Sequence, residues 1–243
     1  MRLSQAWIIA AKEFSILRRK KGLIISVVLF PLIIGIGLPL ILHYVQLRNA
    51  IPDRGLTLIN AFSFFYIIIA SALPITLASY SLVGEKVEKS IEPLLATPTT
   101  DGEILLGKGI AAFLPPIITI FGSAVIFMTL IDIFTYNSLS YLIFPNWTIG
   151  TILLLITPLT AITAIEICII ISIRASDVRS AQQWGLIQVI PFGAIYVLSE
   201  MSIITLNTNN LLIISGVLTV IDIFLLYIST ITFRRDKLLI RQK

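Results

Sequence analysis

The run GLIISVVLFPLIIGIGLPLILHY, residues 22–44, holds no Asp, Glu, Lys or Arg. A membrane crossing needs about 20 mostly apolar residues. Inside hydrocarbon a segment must satisfy its own backbone N–H and C=O groups, so such a run is a helix. The strict polar–apolar alternation of a barrel strand is absent. Five further stretches repeat the pattern, at 56–84, 109–131, 147–173, 183–199 and 211–233. Composition agrees: 57% of the chain is hydrophobic and 13% charged, about half the charged share of a soluble domain. The reading is an all-α polytopic membrane protein, one transmembrane domain over residues 1–243 with six transmembrane helices.

Lys and Arg give the orientation, because they collect on the cytoplasmic side. Arg2, Lys12, Arg18, Arg19, Lys20 and Lys21 precede the first span, and Lys86, Lys89 and Lys108 follow the second. Arg174 and Arg179 follow the fourth, and Arg234, Arg235, Lys237, Arg241 and Lys243 follow the sixth. Only Arg48 and Arg54 fall on the other side. Both termini are expected in the cytoplasm of a cell, in a prokaryotic plasma membrane. The formal charge of +5 is thus a topology signal. No basic, aromatic-studded face suited to nucleic acid is present.

Residues 1–21 read as an interfacial amphipathic helix. Leu3, Trp7, Ala10, Phe14 and Leu17 recur at three- and four-residue steps before the basic run, a pattern that lies along a lipid surface. Trp7, Trp147 and Trp184 all fall at predicted interfacial depth. The first apolar run begins late and is too long for a signal h-region, so it reads as a retained anchor. A single cysteine, Cys168, excludes a disulfide framework.

Between spans two and three lies the one sizeable internal charged island, EKVEKSIEPLLATPTTDGEILLGK, Glu85–Lys108. It reads as two short helices. Ser90 caps the first, with Glu92 at its positive dipole end. Pro93 suits only the first turn, Leu94 and Leu95 form an apolar tip, and Pro98 ends it. Thr100 and Glu103 make a T-x-x-E capping box for the second, which runs on into span three.

Enzymatic chemistry is not legible. Gly102, Gly107 and Lys108 imitate the start of a phosphate loop, but Gly109 stands where a magnesium-binding hydroxyl belongs, and no strand precedes it. The lone His43 has no partners for a metal site, and no nucleophile turn occurs. Asn146-Trp147-Thr148 is a sequon on the outer side. Glu166 and Asp222 are acids within spans four and six. Intramembrane acids either brace neighbouring helices by hydrogen bonds or line a path, and both readings stand for this pair.

The island resembles the loop after the second helix of ABC type-2 permeases, the membrane subunits of ATP-driven exporters. The matching residues are Glu85 and Glu88, Ser90 to Glu92, Leu94 and Leu95, Thr97 and Pro98, and Gly107 and Lys108. Lys89 departs from the family pattern, which has Gly there, and the segment 200–210 is short where larger relatives carry external elements. The resemblance implies a translocation path with no nucleotide site of its own. ATP and magnesium belong to a separate cytoplasmic ATPase, whose groove takes a coupling helix, Ser90–Pro98, anchored by Leu94 and Leu95. Ser176, Asp177 and Arg179 form a second contact. It further implies pairing with a second permease copy, identical or similar, within membrane lipid. Gly35, Gly37 and Gly185 are candidates for close packing in that dimer. The competing readings are an ATP-independent carrier or channel and a non-transporting membrane scaffold.

Overall fold

The computed structural model describes residues 3–45, 59, 61–87, 99–201 and 203–232. Among them the regular structure is helical throughout. Helix α1 (Leu3–Arg19) is followed after one residue by α2 (Lys21–Val45). Helix α3 (Ala61–Gly84) closes in a π-helical turn, Tyr80–Gly84, and one last α turn, Glu85–Val87. Helix α4 (Asp101–Leu139) is the longest, at 39 residues, or about 58 Å of rise. Helix α5 (Trp147–Ser172) contains a second π-helical stretch, Ile152–Ile156. Then come α6 (Val178–Gly185), α7 (Val189–Glu200) and α8 (Thr208–Thr232).

Among the described residues five helices, α2, α3, α4, α5 and α8, are long and apolar enough to cross a membrane. The fifth expected span, 183–199, is instead broken. A 3-10 turn at Leu186–Gln188 separates α6 from α7. Pro191 explains the break, since it offers no N–H to the carbonyl four residues earlier and its ring crowds that carbonyl. The break is tied inward: Gln188 is buried, and its Nε2 donates to the carbonyls of Ser71 on α3 and Thr160 on α5, at 3.3 and 3.4 Å.

The central helix is α3, whose apolar window is 72% buried, against 17% for peripheral α8. Tyr66, Ile67, Ile69 and Ile75 are fully enclosed. Helix α3 packs on α4 and α5; α4 also carries α1 and α2, and α5 carries α8. Prolines 31, 39, 74, 115 and 116 lie inside helices without ending them, as packed neighbours allow. At the far end of α4, Asp132 Oδ1 accepts the N–H groups of Ile143 and Phe144 at 2.9 and 3.1 Å, holding the loop into α5. That loop ends at Asn146, whose side chain caps α5 by accepting from the Ile149 N–H at 2.9 Å. The first residue of the sequon is therefore a helix cap.

Two of the three glycines marked for a dimer are used within the chain. A Cβ on Gly35 would lie 2.6 Å from Ser123 Oγ of α4, and one on Gly185 would lie 2.6 Å from Ile75 Cγ2 of α3. Gly37 faces nothing within 4 Å.

Candidate functional site

The capping box opens α4 as its residue types require. The Thr100 side chain accepts from the Glu103 N–H at 3.4 Å, and Glu103 Oε2 accepts from the Thr100 N–H at 2.9 Å. The helix then runs unbroken through Gly107 and Lys108. A phosphate loop needs backbone N–H groups free to face a ligand; in mid-helix they are spent on the helix itself.

Lys108 points instead into a buried ionic latch. Its Nζ donates to Glu85 Oε2 at 2.6 Å, to Glu13 Oε1 at 3.0 Å, and to the Ser81 carbonyl at 2.7 Å. The Lys108 side chain is 2% exposed and that of Glu13 3%. The second oxygen of each acid is also engaged. Ser81 Oγ donates to Glu13 Oε2 at 2.9 Å, and Lys12 Nζ donates to Glu85 Oε1 at 3.3 Å from the solvent rim. Two cations thus face two anions, and the shared hydrogen bonds offset the desolvation that burial imposes. Burial by itself would raise the Glu85 carboxyl. The Lys108 ammonium, helped by Lys12, overcomes this and holds it below the usual carboxylate range.

Three elements meet here, α1, the end of α3 and the start of α4, and small residues admit them. A Cβ on Gly107 would lie 2.7 Å from the Ala6 carbonyl and 2.7 Å from Ile9 Cβ, so only glycine lets α1 rest on α4. Ser81 lies in the π turn, a local widening that recurs at functional sites. The buried face of α1 is Ala6, Ile9, Ala10, Glu13 and Leu17. Of the expected stripe, Ala10 and Leu17 face the bundle, whereas Leu3 and Trp7 are exposed.

Ser176, Asp177 and Arg179 lie close by, on the α5–α6 turn. Asp177 caps α6, accepting from the Ser180 N–H at 2.8 Å, and Ser176 Oγ is 3.3 Å from Asp177 Oδ2. All three are exposed. A Cβ on Gly84 would lie 3.9 Å from Val178 Cγ2, and Val83 clusters with Ala175 and Ala181. The turn is therefore packed beside the end of α3, at Val83 and Gly84. Of the expected coupling residues, Glu88, Ser90, Glu92, Leu94, Leu95, Thr97 and Pro98 lie outside the described residues.

A model of the family described as ABC-2 family transporter protein matches residues 7–239. The chain belongs to the ABC-2 transporter family. A comparison with curated proteins finds no match. This ABC-2 chain is therefore an integral membrane protein and a membrane component of a transporter. Its Gly107-Lys108 pair has a physical role: one residue admits α1, the other bonds it. Reading the sequence missed Glu13, which was hidden in a helix judged by its apolar stripe alone. The signal available was an acid on the inward side of α1, one residue before the stripe's Phe14.

Within the bundle, Glu166 and Asp222 are both buried, and Thr163 Oγ1 lies 2.5 Å from Asp222 Oδ1. Asp222 thus joins α8 to α5. Glu166 stands one turn after Thr163 on α5, a neighbouring position on the helix surface.

Proposed function

We propose that this protein is the permease subunit of an ATP-driven exporter, with ATP hydrolysed by a separate cytoplasmic ATPase subunit. The observation that carries the reading is the latch at the two ends of segment 88–107. Glu85 precedes that segment, Lys108 follows it, and the two are paired at 2.6 Å. A push on the segment is delivered to a closed base, not to a slack loop. Glu13 adds α1 to that base, so force entering there moves α1, α3 and α4 together.

In this reading Ser90–Pro98 is the coupling helix, and Leu94 and Leu95 fill an apolar groove on the ATPase. Buried apolar anchors dominate the affinity of such contacts, while rim acids such as Glu88 and Glu92 set orientation and encounter rate. Ser176, Asp177 and Arg179, exposed at the turn packed on the end of α3, form the second contact. The broken α6–α7 segment makes the sixth crossing, which leaves both termini in the cytoplasm. The outer stripe of α1, with Leu3 and Trp7 exposed, lies against lipid. A second permease copy completes the path, and Glu166 and Asp222 belong to its wall.

The test is the pair substitution Leu94→Asp with Leu95→Asp, co-expressed with the companion ATPase and reconstituted in vesicles. Membrane insertion should be unchanged, while ATP-dependent transport and co-purification of the ATPase should be lost. Normal transport in that variant would falsify the coupling assignment.

A further inference from the structure

Glu166 is the only charged residue between positions 147 and 172, and Asp222 the only one between 208 and 232. Asp222 bonds to Thr163 across the seam between α5 and α8, and Glu166 stands one turn after Thr163 on α5. Glu166 and Asp222 are 5% and 7% exposed, and one oxygen of each, Glu166 Oε2 and Asp222 Oδ2, meets no partner. Two ionised carboxylates would bring two negative charges into hydrocarbon, where charged side chains pair with one another or meet water.

No counter-cation faces them among the described residues. Helix α3 has no charged residue from 61 to 84, and α4 has none between Lys108 and Asp132. Lys108 is committed to Glu13 and Glu85. Segment 178–200 carries charge only at Arg179 and Glu200. Arg174 lies eight residues beyond Glu166, about 12 Å along the axis, and is exposed.

The hydrogen bonding supplies the missing charge. Thr163 Oγ1 lies 2.5 Å from Asp222 Oδ1 and 3.0 Å from the Leu159 carbonyl. A hydroxyl has one proton and two lone pairs, yet two acceptors claim that proton. If Asp222 is a carboxylic acid, it donates to Thr163 Oγ1, Thr163 donates to Leu159, and every hydrogen is placed. A metal ion fits poorly: hard divalent cations take six or more oxygens, and no cluster of three or more metal-ligating side chains occurs among the described residues.

We propose that Asp222, Thr163 and Glu166 form an intramembrane proton-binding site at the α5–α8 seam. One proton, taken from water, converts the Asp222 carboxylate to the acid, and the buried Glu166 carboxyl beside it is the second seat. The occupied site holds α8 against α5. Loss of the proton leaves a bare charge on the seam and draws water between the two helices. The inference rests on the membrane reading and not on the ATPase partner, so its failure would leave the coupling assignment standing.

The experiment is infrared spectroscopy of the purified full chain in lipid nanodiscs at pH 7, in H2O and in D2O. A protonated-carboxyl C=O band that moves in D2O is expected, and its Asp222 component should vanish in Asp222→Asn. The Asn side-chain NH2 can still donate to Thr163, so that variant should stay monodisperse with unchanged circular dichroism. Should it fail to fold, 13C-aspartate labelling of the unsubstituted chain reads the same signal, and the band must shift. Only ionised carboxylate bands at pH 7 would overturn the proposal. So would a C=O band untouched by both Asp222→Asn and the label, or one abolished by adding Na+ or K+ at constant pH, which marks an alkali-ion seat.

Discussion

Lys108 illustrates how one side chain carries two elements. Its ammonium is buried between Glu13 and Glu85, so removing it strands two carboxylates. Breaking one partner of a buried ionic group typically costs about 3–5 kcal/mol, whereas replacing the whole group by apolar residues is often neutral. Lys108→Met should therefore lower stability by about that amount, and the triple change Lys108→Met, Glu13→Met, Glu85→Met should recover most of it. Unfolding of the detergent-solubilised variants, followed by circular dichroism, checks both. Equal destabilisation by the single and triple changes would mean the latch acts through packing alone. The lysine was visible in the sequence as half of a Gly-Lys pair. Its partner Glu13, 95 residues away, was not, because no local periodicity links an acid in one helix to a lysine three helices later.

At the level of elements, α1 is held by contact as much as by charge. Gly107 leaves room for the Ala6 carbonyl and for Ile9, and a branched side chain there must push α1 away. Gly107→Leu should release α1 and expose the Arg18–Arg19 bonds to trypsin, visible as rapid loss of the N-terminal segment on a gel. Gly37→Ala is the matched control, since nothing lies within 4 Å of that position, and its digestion should match the unsubstituted chain. If Gly107→Leu resists trypsin equally, α1 docking does not depend on that close approach. The helical nature of α1 and the capping box of α4 were both legible, because each rests on spacings of three and four residues. Which side of α1 faces the bundle was not. The apolar stripe of an interfacial helix answers to lipid as well as to protein, and here the two surfaces share it.

For the whole molecule, the broken segment 178–200 decides whether the chain crosses the membrane five or six times. In a Cys168→Ser background, single cysteines at Ser140, Ser176 and Thr205 report the sides directly. The loops at Ser140 and Ser176 lie at opposite ends of α5, so a membrane-impermeant thiol reagent should reach them from opposite faces. Thr205 should label with Ser140 if α6 and α7 together span the bilayer. Labelling of Thr205 with Ser176 would make that segment re-entrant and place α8 the other way up, which overturns the proposed topology.

Class, helix content and the approximate place of five long helices followed from the amino acids alone, because transfer of a 20-residue apolar run into lipid is a sum over local residues that needs no knowledge of neighbours. The break in the fifth expected span was half visible: Pro191 predicts a kink, but its anchoring by Gln188 to Ser71 and Thr160 depends on which helices happen to adjoin. The same holds for the Lys108 latch, for Gly35 and Gly185 serving contacts inside the chain, and for the meeting of Asp222 with Thr163. Each is a pairing between residues far apart along the chain, and apolar helices in lipid have little hydrophobic preference for one neighbour over another. Partners are then selected by close fit and by buried polar bonds, which exist only once the helices are side by side.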